Sequence, residues 1–336
     1  MDTTRGSTMP VSRRTFAKQI ALAPAVLAAP ALLRLGDKAL AKQDGEMQIS
    51  HFQRRMVGEI EVIALMDGVI QRPPTMMPGY DEDEAGAAAK RAHHPHSPDT
   101  MALGINAFVI RTRNRVIAVD TGSPAGLAPT LGNWHAALAA AGIHINDIDT
   151  IFLTHLHPDH VGGMTDVQTG TARFPEAEVI ASETDWQFTH DEAVYGSSSK
   201  EVREGLHISR AMVAPYDQQK RLIKPDAEIA PGLRTMALPG HTPGHIGLRV
   251  DSGNESLLFW GDVLIAPAYQ FANPDWAFAL DTDQRAAAAT RKKILDMVAT
   301  DRVMVAGAHL DFPGFGYVDR AEQGYRFVSA PWDYRI

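Results

Sequence analysis

The chain has 336 residues, 45% hydrophobic and 21% charged, with a formal net charge of −8 and no cysteine. That balance suits one large globular domain or two small ones, and it excludes a disulfide framework and thiolate metal ligation. No solenoid-like repeat occurs, no apolar run in the body is long enough to span a bilayer, and the acidic excess argues against nucleic acid or anionic membranes as partners.

The N-terminus looks like an address rather than part of the fold. Ser12-Arg13-Arg14-Thr15-Phe16-Ala17-Lys18 resembles the twin-arginine export signal. A moderately apolar run over residues 20–33 follows, and Ala39-Leu40-Ala41 offers small residues at the positions a signal peptidase reads. We therefore expect the twin-arginine export machinery as a partner, cleavage near Ala41, and a periplasmic or secreted product. Residues 1–41 hold six basic and two acidic residues, so the remainder, 42–336, would carry a net charge of −12. The expected organisation is a removable signal over 1–41 and one globular domain over 42–336, with no membrane contact once mature.

Alternating apolar residues over 52–56, 60–66 and 69–71 predict an opening β-meander, turning at 57–59 and at Asp67-Gly68. From 73 to 100 the composition shifts to Pro-Pro, the acidic run 81–84, an Ala-rich patch and His93-His94-Pro95-His96. Pro95 and Pro98 and the lack of a spaced carboxylate favour a solvated loop, which we expect to cover a pocket as a lid. Residues 105–110 and 115–119 read as a hairpin ending in Asp120-Thr121-Gly122. Asp120 either orients a neighbouring ligand or simply makes the turn. An Ala- and Leu-rich stretch over 124–142 predicts a helix stopped by Gly142, with His135 a surface or packing residue.

The stretch that carries chemistry comes next. Residues 149–153 form a short branched apolar run, hence a buried strand. Directly after it stand Thr154-His155-Leu156-His157-Pro158-Asp159-His160. In an extended segment His155 and His157 share a face and can grip one cation, while Asp159 and His160 lie where the chain turns, free to reach a second. Gly162 and Gly163 allow the tight turn onward. Imidazole and carboxylate donors suit zinc or a similar borderline divalent ion.

Residues 174–181 predict another strand, with Ser182 capping a helix that begins at Glu183. Helix is expected again around 202–213. The strand over 233–238 ends in Pro239-Gly240-His241-Thr242-Pro243-Gly244-His245, where His241 is the natural third ligand beside His155 and His157, and His245 a supporting or structural residue. A hairpin over 246–250 and 256–260 ends in Gly261-Asp262, a carboxylate with two oxygens to share between two ions. A helix over 284–299 buries one face. A strand over 301–308 then closes on His309. Every candidate ligand thus follows an apolar strand, as a site on one rim of a sheet requires.

In that order, these residues resemble the dinuclear set of the metallo-β-lactamase superfamily. The resemblance implies an α+β fold, the αββα sandwich of two mixed sheets flanked by helices, from about residue 52 onward. It implies two divalent ions, zinc: His155, His157 and His241 at one, Asp159, His160 and His309 at the other, Asp262 bridging both. Residues 261–265, Gln270-Phe271, 308–314 and 324–328 are similar to methyl parathion hydrolase and its esterase and lactonase relatives, and that branch implies a homodimer. The β-lactamases themselves fit less well, for want of a cysteine ligand or because of Asp262. A glyoxalase II-like thioesterase keeps the same seven ligands but expects a basic C-terminal tail that this chain lacks. A non-catalytic metal- or ligand-binding protein on the same fold would require a missing ligand, and none is missing.

The mechanism expected of such a pair is attack by a bridging hydroxide on the carbonyl or phosphorus of a lactone, aryl ester or phosphotriester, since zinc lowers the pKa of water to about 7. Asp262 and Asp159 are the expected catalytic carboxylates, Asp159 passing a proton to the leaving group. For the substrate pocket we expect apolar walls from the stretch 265–280, with Ile265, Tyr269, Phe271, Trp276, Phe278 and Leu280, while Trp186, Phe188 and Tyr195 are further apolar bulk for the pocket or for core packing. Tyr195 and Tyr269 are candidates for a tyrosine near the metals.

Overall fold

The computed structural model describes residues 51–336. The signal segment expected over 1–41 lies outside them.

The first sheet runs in chain order: β1 (Phe52–Val57), β2 (Ile60–Arg72), β3 (Met101–Arg111), β4 (Val116–Val119), β5 (Thr150–Phe152), β6 (Glu178–Ser182) and β7 (Lys220–Ile223). β1 to β4 pair antiparallel and β4 to β7 parallel. The second holds β8 (Glu228–Ala230), β9 (Leu233–Ala237), β10 (Ile246–Ser252), β11 (Glu255–Phe259), β12 (Met304–Ala306), β13 (Phe315–Arg320) and β14 (Tyr325–Ser329), again in chain order. Only β11 and β12 pair parallel there. Both sheets are therefore mixed, as expected.

Their inner faces meet in one apolar layer. Val62, Phe108, Ile110, Phe152 and Ile180 of the first sheet pack on Leu248, Val250, Leu257, Phe259 and Phe315 of the second. The Phe108 ring lies 5.1 Å from Phe259 and 5.6 Å from Phe315. Outside the first sheet, α2 (Trp134–Ala140) and α6 (Lys200–Val213) bury Trp134, Leu138, Met212 and Val213 against Ile63, Val109 and Val179. Outside the second, α8 (Gln284–Asp301) buries Ile294, Leu295 and Val298 against Leu258 and Val305. The result is an αββα sandwich.

Three local expectations are corrected. Residues 73–100 are not simply loop, because they contain an α-helix, α1 (Glu82–Ala92). Asp81 accepts the Glu84 N–H as its cap, acids fill the first turn, Lys90 and Arg91 the last, and His93 ends it at φ 55°. Asp67-Gly68 is not a turn; the register of one 13-residue strand shifts there. The buried Asp67 carboxylate accepts the N–H groups of Ser123, Gly132 and Trp134, so the irregularity anchors the segment that crosses above it. The helix expected over 124–142 shrinks to α2, because Gly126 and Gly132 both adopt φ near +90°.

Candidate metal centre

The seven side chains singled out in the sequence converge. His155 and His157 leave β5, His241 follows β9, Asp262 follows β11 and His309 follows β12, while Asp159 and His160 lie in a short helix, α3 (Pro158–Val161). His155, His157, His241 and Asp262 form one group that could hold an ion, and Asp159, His160 and His309 a second, the donor atoms of each lying within 4.8 Å of one another. Asp262 stands between them. Its Oδ2 is 3.0 Å from His309 Nε2 and 3.3 Å from His241 Nε2, and its Oδ1 is 3.2 Å from His160 Nε2. Asp159 Oδ2 is 3.7 Å from both His160 Nε2 and His309 Nε2.

Three of the imidazoles are held from behind. His160 Nδ1–H donates to Asp120 Oδ2 at 2.8 Å, His241 Nδ1–H to Asp281 Oδ1 at 2.9 Å and His309 Nδ1–H to the Gly104 carbonyl at 2.8 Å. Those bonds fix the tautomer and turn each Nε2 lone pair inward. Asp120 itself sits at φ 58°, a left-handed conformation that Asp tolerates. It also accepts the backbone N–H and hydroxyl of Thr154. The alternative left open in the sequence is thereby decided: Asp120 positions His160. Asp185 accepts the N–H groups of Leu156 and Gly244 and so ties the two histidine loops together. His245 donates from Nδ1 to the Leu238 carbonyl and accepts the Asp262 N–H at Nε2, which makes it a support for the Asp262 backbone.

Two glycines are required by close approach. A Cβ on Gly261, at φ 53°, would lie 2.4 Å from His245 Nε2. One on Gly162 would lie 2.0 Å from the Pro124 nitrogen. Gly162 itself is right-handed helical (φ −67°), so proximity to that segment, not the turn we expected of it, is its reason.

The donor set fits cations. His155 Nε2, His160 Nε2 and Asp262 Oδ1 are buried without a hydrogen-bond partner, a costly arrangement unless a positive ion faces them. Burial pushes the His157 imidazole down to about 3 and His155 well below its usual value, which leaves both with free lone pairs. His160 and His309 are pushed the other way: burial opposes their charge, but the surrounding carboxylates together outweigh it, Asp262, Asp120 and Asp159 at His160 and Asp262 and Asp159 at His309.

Above the centre lies a cavity of about 500 Å³, lined by His157, Asp159, His241, Asp262 and His309 and by apolar side chains that include Ile265, Phe278 and Leu280. Of the pocket residues expected from the sequence, Ile265, Phe278, Leu280 and Phe188 line it. Tyr269 lines a neighbouring cavity that also touches His309, and Phe271 a groove beside β14. Trp276 is packed with Tyr80 and Tyr269 in a buried cluster under α1, and Trp186 stacks on His190. Trp276 and Trp186 are absorbed by core packing, and the remaining walls come from Ile70, Leu103 and Ile105 of the first sheet and Val202, Leu206 and Ile208 of α6. Tyr195 lies outside this cavity, beside Arg203 and His207. The segment expected as a lid, 73–100, contributes His93, His94 and His96 to the neighbouring cavity.

The family model described as the metallo-beta-lactamase superfamily matches residues 100–309. The chain belongs to that superfamily. Within it, the chain is similar to a probable metallo-hydrolase of Mycobacterium tuberculosis, 27% identical over 226 residues, which cover 57% of this chain and 67% of that protein. Among solved structures it is similar to hydrolase AbOPH of the beta-lactamase superfamily, at 28% identity and a TM-score of 0.80, over 85% of this chain and 100% of that one. It is also similar to AidC, a dizinc quorum-quenching lactonase solved with the product N-hexanoyl-L-homoserine, at 26% identity and a TM-score of 0.78, over 84% of this chain and 99% of that one. This chain is thus a metal-dependent hydrolase by superfamily, with lactonase neighbours.

The supporting carboxylates give a direct test. Asp281→Ala is expected to lower metal affinity or activity about 10–100-fold, the usual effect of losing the partner that orients a ligating imidazole. Metal titration and kcat/KM measure it, and unchanged values for both would show that Asp281 does not orient His241.

Proposed function

We propose that the protein is a dinuclear zinc hydrolase of lactones, aryl esters or phosphotriesters, in the branch that includes methyl parathion hydrolase, made with a twin-arginine signal and active in the periplasm. The observation that carries this reading is the convergence of five imidazoles and two carboxylates with orphaned, buried donor atoms at the floor of an apolar cavity. The lactonase neighbour AidC supports the substrate class.

Two zinc ions, when bound, supply Lewis acidity toward the substrate oxygen and make a water molecule acidic enough to act as nucleophile near neutral pH. The chain's own groups do the rest. Asp262 faces both donor groups and keeps them in register. Asp159 lines the cavity with about a quarter of its side chain exposed; in this reading it takes up the proton released by the attacking water and passes it to the departing oxygen. The apolar walls take up the acyl or aryl portion and exclude bulk water.

The test is metal analysis of the purified protein beside initial rates on an acyl-homoserine lactone, dihydrocoumarin, 4-nitrophenyl acetate and methyl parathion. Two equivalents of zinc with hydrolysis of at least one compound is the expected result. A fully loaded protein that cleaves none of them would overturn the reading. Mass spectrometry of the periplasmic form, expected to lack residues 1–41, tests the export proposal.

A further inference from the structure

Among the described residues lining the metal cavity, Arg72 is the single arginine or lysine. It is the last residue of β2, paired across the sheet with Met101, and it shares a face with Ile70, which lines the same cavity. The side chain is half-buried, and its guanidinium makes neither a hydrogen bond nor an ion pair among the described residues. Most other arginines of comparable burial are committed: Arg54 and Arg111 to Glu61, Arg173 to Asp166, Arg221 to Glu178.

The surroundings of Arg72 offer it no partner of its own. On the adjoining strand, Met101 opposite it and Leu103 and Ile105 farther along are apolar. Glu201 and Glu204 also line the cavity, but from α6, and both are exposed; Glu204 faces Lys200 at 3.7 Å. The cavity is therefore polarised, with acids on the α6 side and a lone guanidinium at the β2 end.

The geometry points to Arg72 as a specificity residue that receives a carboxylate at the end of the substrate remote from the scissile bond. This inference rests on the hydrolase reading above. A guanidinium presents a planar fork that fits a carboxylate with two parallel hydrogen bonds. One guanidinium with no second cation matches a monoanion, so a singly charged carboxylate suits it better than a phosphate dianion. The acids on α6 repel the same group and leave the β2 end as its place. The preferred substrate is then an ester or lactone whose acyl chain ends in a carboxylate, with the intervening methylenes against Ile70, Leu103 and Ile105.

Two esters of equal chain length test this: mono-4-nitrophenyl adipate, which ends in a carboxylate, and 4-nitrophenyl hexanoate, which does not. The zinc-loaded wild-type protein is expected to favour the adipate in kcat/KM. Arg72→Met is expected to lower the adipate-to-hexanoate ratio about 10–100-fold, the range for a hydrogen bond to a charged group, mainly through the KM of the adipate. Arg72→Lys, which keeps the charge and loses the fork, is expected to fall between the two, and thermal melts confirm that both variants fold. Hydrolysis of both esters with the same ratio in wild type and Arg72→Met would overturn the assignment and leave the hydrolase reading standing. Cleavage of neither ester by the loaded wild-type protein would overturn both.

Discussion

Asp262→Asn is expected to lower kcat/KM at least about a hundredfold on any substrate the protein hydrolyses, and to reduce the bound zinc below two equivalents. The expected loss exceeds the about 10–100-fold typical of groups that only orient a ligand, because Asp262 touches both halves of the centre. Its two oxygens lie within 3.0–3.3 Å of His309, His241 and His160. The histidines and the carboxylate sustain one another: the imidazoles facing Asp262 hold its carboxyl well below the usual range although burial pushes the other way. An amide of the same shape keeps one acceptor oxygen and loses the charge, so it cannot offer a full negative charge to two cations at once. Metal analysis and steady-state kinetics on the purified variant measure this. Wild-type zinc content together with wild-type kcat/KM would show that Asp262 is a bystander.

Stripping the metal is expected to abolish hydrolysis and to lower the melting temperature by about 5–15 °C, with both restored by zinc. An ion that binds only the folded chain, present at 100- to 1,000-fold over its dissociation constant, stabilises by about 3–4 kcal/mol, and a domain of this size loses about 2–4 °C per kcal/mol. The structural reason is that each donor group draws on both sheets. His155 and His157 follow a strand of the first sheet, and His241 and Asp262 follow strands of the second; Asp159 and His160 belong to the first, His309 to the second. Each bound cation would therefore tie the two layers in a chain that has no cysteine for the purpose. Calorimetry with and without chelator reads the effect. An unchanged melting temperature in a protein shown to have lost its zinc would mean that the layers hold the site, and not the reverse.

What could be read from the sequence follows from how local each signal was. His155, His157, Asp159 and His160 announce themselves by spacing alone, and His241, Asp262 and His309 by ending apolar strands. Asp185 and Asp281 gave no such sign. Asp185 reads as an ordinary acid in the first turn of the helix Glu183–His190, and its bonds reach Leu156 and Gly244, 29 and 59 residues away. Asp281 sits in an irregular stretch, 40 residues from the imidazole it orients. The sequence of α1 is complete from cap to C-terminus, but its flanking prolines and histidines by themselves favour a loop. The aromatic residues 269–278 follow Asp262 closely, which by itself suggests a pocket wall. In the fold Tyr269 and Trp276 turn down into the cluster beneath α1, Phe278 reaches the cavity, and the rest of the wall comes from β2, β3 and α6, whose contribution depends on tertiary arrangement.

The chain-order topology sets when the protein can first become active. All seven strands of the first sheet are complete by Ile223, each beside its predecessor, so that layer can assemble while synthesis is still under way. The last corner of the second donor group, His309, comes after twelve of the fourteen strands among the described residues. A nascent chain thus passes through an interval in which much of its β-structure is laid down but the second donor group, Asp159 and His160 beside Asp262, still lacks its last imidazole, and competence arrives only with His309, at one step.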